Sequence, residues 1–185
     1  MKQYIFRKLK REEIPQMFAL IIQRIVWMDE KGIKQWNVTN YADAYPLDYY
    51  YEQYEKEIAF GLIDEESGEL VCAAILKESD DIWEDDSPSI YLHNFVSKVG
   101  EKGVGTIFLK FAEEYAIEQN MQYFRLDSAV DNDALTQYYE SQGFLPVGEC
   151  EDGPYRGILR QKKLKKKNGG TDNEIEEHFD CCQRY

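Results

Sequence analysis

The sequence predicts a mixed α/β domain built on one central sheet, and three observations carry that reading. Apolar runs of strand length alternate along the chain with runs spaced at the helical period. With 185 residues, 43% of them hydrophobic, the chain can bury one substantial core and fits one domain better than two. Gly103-Val104-Gly105 opens the amphipathic run Val104, Ile107, Phe108, Phe111, Ala112, Tyr115 between two strand-like stretches. A helix joining two strands of one sheet pairs them in parallel.

Residues 3–9 read as a short first strand. Ile14, Met17, Phe18, Ile21, Ile25 and Met28 then repeat at helical spacing up to Gly32, a first helix laid on the sheet. A second helix is expected over 47–58, crowded with Tyr49, Tyr50, Tyr51 and Tyr54. Residues 60–64 and 69–77 form a hairpin, because Glu65-Glu66-Ser67-Gly68 supplies turn residues between two strand-prone runs. The polar stretch 79–89 is a loop. Strand 90–97, helix 104–119, strand 122–130, helix 133–142 and strands near Val147 and over 155–164 complete six to seven strands flanked by helices.

Composition narrows the function classes. No run of about 18 apolar residues exists to span a bilayer and the N-terminus lacks the apolar stretch of a signal peptide, so a soluble, cytoplasmic protein with no membrane partner is expected. Cys72, Cys150, Cys181 and Cys182 lack paired zinc-ligand spacing, and the two histidines are far apart, so reduced thiols and no metal are expected. The formal net charge of -13 argues against a nucleic-acid partner, since phosphate backbones are bound through accumulated Lys and Arg. It suits a cationic ligand, and equally it serves solubility. Positive charge concentrates over 160–167, read as a strand end running into a loose tail. The domain is expected to span 1–167 and the tail 168–185.

The glycines of the 100–105 loop suggest an anion site. Free N–H groups at a helix N-terminus point at a ligand, the peptide dipoles favour negative charge, and glycine lets phosphate oxygens approach the main chain. A nucleoside-triphosphate loop would follow Gly100 and Gly105 with lysine, where this chain has Thr106. A dinucleotide fingerprint starting at Gly103 needs a third small residue, where this chain has Phe108.

A wider constellation remains: Tyr91-Leu-His-Asn-Phe-Val-Ser97, the loop Gly100-Glu-Lys-Gly-Val-Gly105, Phe124-Arg-Leu-Asp127, and Asn132 followed at a fixed distance by Tyr139 and Gly143-Phe144. In these stretches, roughly residues 88–146, the chain resembles the GCN5-related N-acetyltransferase (GNAT) family. The resemblance implies the acyl-CoA N-acyltransferase fold, with a centrally splayed sheet, and acetyl-CoA as co-substrate. It assigns the backbone of Phe95, Val96 and Ser97 to the acetyl and pantetheine groups. The amides of Glu101, Lys102, Gly103, Val104, Gly105 and Thr106 fall to the pyrophosphate, with Lys98 and Lys102 as charged helpers. The family usually has Arg or Gln where this chain has Gly100.

The resemblance further implies transfer of the acetyl group to a primary amine of a small molecule, by direct attack in a ternary complex. Such an amine starts as an ammonium of pKa about 10.4, and the departing thiolate benefits from a proton. Tyr139 holds the family's thiolate-protonating position, with Tyr138 in reserve; both can also be read as core aromatics. Asn132 reads either as a ligand of the cofactor arm or as an ordinary helix cap. His93 is a candidate base, against a structural reading and against Asp or Glu acting through water. Residues 27–36, the tyrosines between 41 and 54, and the acidic loop of Asp80, Asp81, Glu84, Asp85 and Asp86 around Trp83 read either as a surface that recognises the acceptor or as a packed helix and a plain solvated loop. Two other classes stay open: a non-catalytic acyl-CoA-binding or regulatory module, and a protein-interaction domain whose glycines only pack. A homodimer paired through an edge strand also stays open.

Overall fold

The computed structural model describes residues 2–153 and 155–165, so the expected 167/168 boundary, the tail, Cys181 and Cys182 lie outside the described residues. The elements run β1 (Tyr4–Lys8), α1 (Ile14–Lys31), α2 (Tyr41–Ala44), α3 (Leu47–Glu55), β2 (Ala59–Asp64), β3 (Leu70–Lys77), β4 (Ser89–Ser97), α4 (Val104–Glu118), β5 (Tyr123–Ala129), α5 (Asp133–Ser141), β6 (Leu145–Asp152) and β7 (Tyr155–Lys163). The strands form one seven-stranded sheet in the order β1-β2-β3-β4-β5-β7-β6. Every neighbouring pair is antiparallel except β4 and β5, which α4 connects and which are parallel. Strand number and boundaries follow the sequence reading to within a few residues. The four-residue α2 is additional, too short to show a helical period.

Two cores sandwich the sheet. On one face Phe108, Ala112 and Ala116 of α4 and Tyr139 of α5 pack on Ile90, Leu92, Phe124 and Leu126. On the other, Ile14, Met17 and Ile21 of α1 and Tyr50 of α3 pack on Ile63, Ala73, Ile75 and Val96. Each large apolar side chain enclosed in this way contributes roughly 1.5–3 kcal/mol. α1 carries Pro15 in its first turn and stops at Gly32, whose φ of 67° lets its amide reach back to Met28 and Asp29.

Strand alternation breaks once where it matters. Leu92 and Val96 are four residues apart in β4, so regular alternation would put both on one face, yet they lie in opposite cores. The reversal occurs at Asn94, with φ of 51° and a register shift against β3. A bulge inserts one unpaired residue and bends the strand. The left-handed conformation costs roughly 1–2 kcal/mol in a side-chain-bearing residue, least for Asn. Two side-chain hydrogen bonds offset it: Asn94 Nδ2 donates to Tyr41 Oη at 2.6 Å, and Tyr49 Oη donates to Asn94 Oδ1 at 3.1 Å.

Candidate active site

β4 and β5 pair only from Ser89–Tyr123 to Tyr91–Arg125, although β4 runs on to Ser97 and β5 to Ala129. The bulge at Asn94 turns β4 away, and the strands part. Main-chain groups that face the gap have no ladder partner across it, although β4 still pairs with β3 and β5 with β7, and buried polar groups without partners are costly. The opening is a cleft of about 640 Å³ that reaches from Gly105 past Phe95 and Leu126 to Trp36 and Tyr155.

The resemblance assigned the main chains of Phe95, Val96 and Ser97 to the acetyl and pantetheine groups, and the ladder divides them. Val96 pairs with Ala73, and the Lys98 amide donates to Val71 O, so at alternate residues the main chain faces β3. Val96 therefore spends its polar groups inside the sheet, while Phe95 and Ser97 turn theirs toward the gap. The Ser97 carbonyl already accepts from Arg24 Nη2 at 2.6 Å, and Ser97 Oγ from the same nitrogen at 3.0 Å. Arg24, on α1, was not foreseen. Burial pulls its pKa below the ordinary arginine value, while its guanidinium lies 4.9 Å over the Trp27 ring.

The loop after β4 leaves three of the six assigned amides without a helical partner and engages one elsewhere. No side chain caps α4, whose N-cap is Gly103 at φ 82°; the first amide bonded within the helix is that of Ile107, to Gly103 O at 3.1 Å. The amides of Val104, Gly105 and Thr106 are thus left for a ligand. Glu101 is the one engaged: its amide closes a turn on Lys98 O at 3.3 Å, and its carboxylate meets Lys2. Lys98 is occupied by Glu69 at 2.6 Å. Gly100, where the resembled family carries Arg or Gln, has φ of 90°, a conformation that strongly favours glycine. Gly105 is small for another reason: a Cβ there would lie 3.0 Å from Tyr138 Oη and 3.5 Å from the Phe95 ring.

α5 brings Asn132, Tyr138 and Tyr139 to the cleft. Asn132 Oδ1 accepts from the Leu135 amide at 3.0 Å and caps the helix, while Nδ2 stays within 3.4 Å of Gln35 Oε1. The cap uses the oxygen and Gln35 takes one amide hydrogen, which leaves the second for a ligand, so the two sequence readings are compatible. Tyr139 is 6% exposed and sits edge-on to Phe144. Burial, then the neighbouring Tyr138 and Asp127, push its phenol well above the usual range, and the nearby Arg160 cation opposes them. It is held protonated at neutral pH. Arg160 is itself fully buried, donating from Nε to Ser128 Oγ at 2.8 Å and from Nη2 to Thr136 Oγ1 at 2.9 Å.

His93 and Asp127 lie next to Leu92 and Leu126 in their strands, so both side chains leave the sheet on the α1 face, opposite Tyr139. His93 Nε2 is buried 2.8 Å from Asp80 Oδ2, close but not aligned for a linear hydrogen bond. Burial raises the Asp80 carboxyl, and its contacts with His93 and with the Ile82 amide, which donates to Oδ1, outweigh that, leaving the group below its ordinary value. Asp127 Oδ2 accepts from Tyr155 Oη at 2.5 Å; burial first, then that carboxylate, drive the Tyr155 phenol upward.

Of the two readings of the acidic loop, its contacts favour the structural one. Asp80 serves His93, and Asp85 meets Arg125 Nη2 at 2.8 Å. Arg125 is buried under Trp83, 4.5 Å from that ring, and also donates to Tyr91 Oη and Gln161 Oε1. These carboxylates fasten the loop to the sheet. Among the described residues none of the loop's carboxylates lines the cleft.

No helix among the described residues is long and apolar enough to cross a membrane. No curated protein matches the chain. Among solved structures it is similar to a GNAT-family acetyltransferase from Listeria monocytogenes 4b F2365, at 24% identity and TM-score 0.72 over 89% of this chain and 100% of that one. It is also similar to the PaiA N-acetyltransferase of Thermoplasma acidophilum in complex with coenzyme A, at 17% identity and TM-score 0.64 over 88% and 99%. A Vibrio cholerae spermidine N-acetyltransferase chimera matches at 20% identity and TM-score 0.62 over 86% and 93%. These likenesses concern the fold. The model of the Acetyltransferase (GNAT) family matches residues 30–144, the stretch that contains the parted strands, the glycine loop and Asn132 to Phe144. By that match, this chain belongs to the GNAT acetyltransferase family.

Proposed function

We propose that this chain is an acetyl-CoA-dependent N-acetyltransferase acting on a primary amine of a small molecule, by direct attack in a ternary complex. The carrying observation is the parallel β4–β5 pair that ends at Tyr91–Arg125 and opens into a cleft leading from the uncapped start of α4. The residues fit an acylated pantetheine diphosphate. Free amides of Val104 to Thr106 meet the diphosphate, the absent Cβ of Gly105 leaves a path beside Tyr138, and Phe95 offers main-chain partners to an extended arm. The cofactor supplies an activated acetyl carbon.

Asn132 Nδ2 donates to the arm while its oxygen holds the start of α5. His93 receives the proton of the acceptor ammonium on the α1 face; Asp80 covers Nε2, so Nδ1 is the nitrogen left for the cleft. Tyr139 gives its phenolic proton to the departing sulfur from the opposite face. Attack and departure on opposite sides of the gap require no covalent enzyme intermediate.

Calorimetry with acetyl-CoA and thiol release with a panel of amines test this reading. The wild type binds the thioester and releases thiol in the presence of an amine, and Tyr139→Phe loses at least tenfold in kcat with cofactor affinity little changed. Absence of binding at millimolar cofactor removes the reading, and unchanged turnover in Tyr139→Phe removes that residue as the acid.

A further inference from the structure

The half of the cleft beyond the bulge is walled by rings. Trp36 stacks on Tyr41 with centroids 4.4 Å apart and planes 13° from parallel, and Tyr45 continues the wall 4.8 Å from Tyr41. Trp27 and Tyr155 face the same space. The wall is tied to the sheet where the strands part, because Tyr41 Oη receives the Asn94 side-chain amide. A flat apolar group lying on these rings is thereby held at a set distance from the reacting centre.

Charge in this half is sparse. Among the described residues that line the cleft, Asp127 is the one carboxylate. Tyr155 occupies its Oδ2, which leaves Oδ1 to accept from an ammonium. The cation Arg24 also lines the cleft, with no carboxylate partner among the described residues. A ligand with several ammonium groups would place at least one of them among rings without a counter-ion, or beside Arg24. Desolvating an unpaired charge is costly, whereas a single ammonium beside Asp127 is paired and favoured by the ring faces.

Resting on the acetyltransferase reading above, we propose that the acceptor is a singly charged primary amine with a flat apolar body, an arylalkylamine by chemical class, rather than a polyamine or an aminoglycoside. Asp127 holds the ammonium and the Trp36–Tyr41–Tyr45 wall holds the body. The amine nitrogen forms the new bond to the acetyl carbon as the carbon–sulfur bond breaks. Of the two protons the ammonium sheds on becoming an amide, one goes to the enzyme base before attack and the other balances the proton that the sulfur takes as free thiol.

The test has two readouts on the full chain. Equilibrium binding is followed by quenching of tryptophan fluorescence with phenethylamine, hexylamine, spermidine, phenylalanine and kanamycin, in the presence of CoA. Turnover is followed by thiol release with acetyl-CoA. Phenethylamine is expected to bind at least tenfold more tightly than spermidine or kanamycin and to lead them in kcat/KM by a similar factor. Asp127→Asn is expected to weaken phenethylamine about tenfold, and Trp36→Leu to narrow its advantage over hexylamine. Preference for spermidine, kanamycin or phenylalanine overturns the proposal and leaves the acetyltransferase reading standing, as does equal binding of hexylamine and phenethylamine. Tight phenethylamine binding without thiol release supports the ligand class and sinks catalysis. Failure of every amine to bind overturns the proposal by itself.

Discussion

Replacing Arg125 by methionine keeps most of the stem volume and removes a guanidinium that is 2% exposed. The loss divides into three parts. Tyr91 Oη and Gln161 Oε1 lose their donor, at about 1–3 kcal/mol for buried groups left unpaired. The cation leaves the faces of Trp83 and Tyr123, 4.5 and 4.9 Å away, at about 1–2 kcal/mol. Asp85 loses an ion pair whose carboxylate side chain is 52% exposed, at about 1 kcal/mol or less. The sum is about 2–6 kcal/mol, which brackets the range found on breaking buried pairs, and it lowers Tm by roughly 10 °C for a chain of this length. Asp85→Asn removes only the last part and lowers Tm by about 2 °C. Denaturant titrations of both variants measure the contrast. The Arg125 hydrogen bond, followed by Ser87, pulls the Asp85 carboxyl from 3.8 down to about 2. A depressed carboxyl adds stability above its unfolded pKa and loses it as pH falls through the folded one. The gap between wild type and Asp85→Asn therefore closes from about pH 4 toward pH 2, while most of the Arg125→Met deficit persists. Equal losses in the two variants at neutral pH would refute the assignment of the anchoring energy to the buried ring cage.

Three further substitutions probe the cleft. Gly103→Ala meets nothing within 4 Å but must hold φ near 82°, so it costs about 1–2 kcal/mol in unfolding free energy with CoA affinity within about threefold of wild type. Gly105→Ala sets a methyl 3.0 Å from Tyr138 Oη and is expected to weaken CoA about tenfold by calorimetry; unchanged affinity would show that the arm does not pass there. Asn132→Ala removes the cap of α5, costing about 1 kcal/mol in denaturant, and Asn132→Ser restores most of that stability without restoring cofactor affinity.

The local parts of this molecule were legible in the sequence and the distant pairings were not. α1, α4 and α5 announce themselves through apolar spacing, and Gly103 ahead of Val104 marks a helix start, because these signals come from neighbours a few residues apart. Asn94 and Ser97 are polar interruptions of an otherwise apolar strand. Asn94 is the bulge that reverses the side-chain alternation, and Ser97 is the residue gripped by Arg24. Asp80–His93, Asp85–Arg125, Tyr155–Asp127 and Arg24–Ser97 join residues from separate elements, and composition registers charge without naming its partner. For that reason the acidic loop could be read as an amine-binding surface or as a solvated loop; its Asp80 and Asp85 are engaged within the protein.

The proposed division of proton transfer between the two faces of the sheet predicts how two variants combine. On the proposed mechanism Asp80 acts through His93 on the α1 face, and Tyr139 acts from the α5 face, with the parted strands between them. The two share no hydrogen bond, so perturbing one leaves the geometry of the other intact, and independent sites combine additively in free energy. If amine deprotonation and thiolate protonation shape one transition state, Asp80→Asn and Tyr139→Phe multiply in kcat: two tenfold losses become about a hundredfold. If attack and sulfur departure are successive steps, the slower one governs and the double variant is little worse than the poorer single one. Single-turnover thiol release with the four proteins separates these cases. A double variant as active as wild type would remove both residues from the chemistry and leave the cleft as a binding site alone.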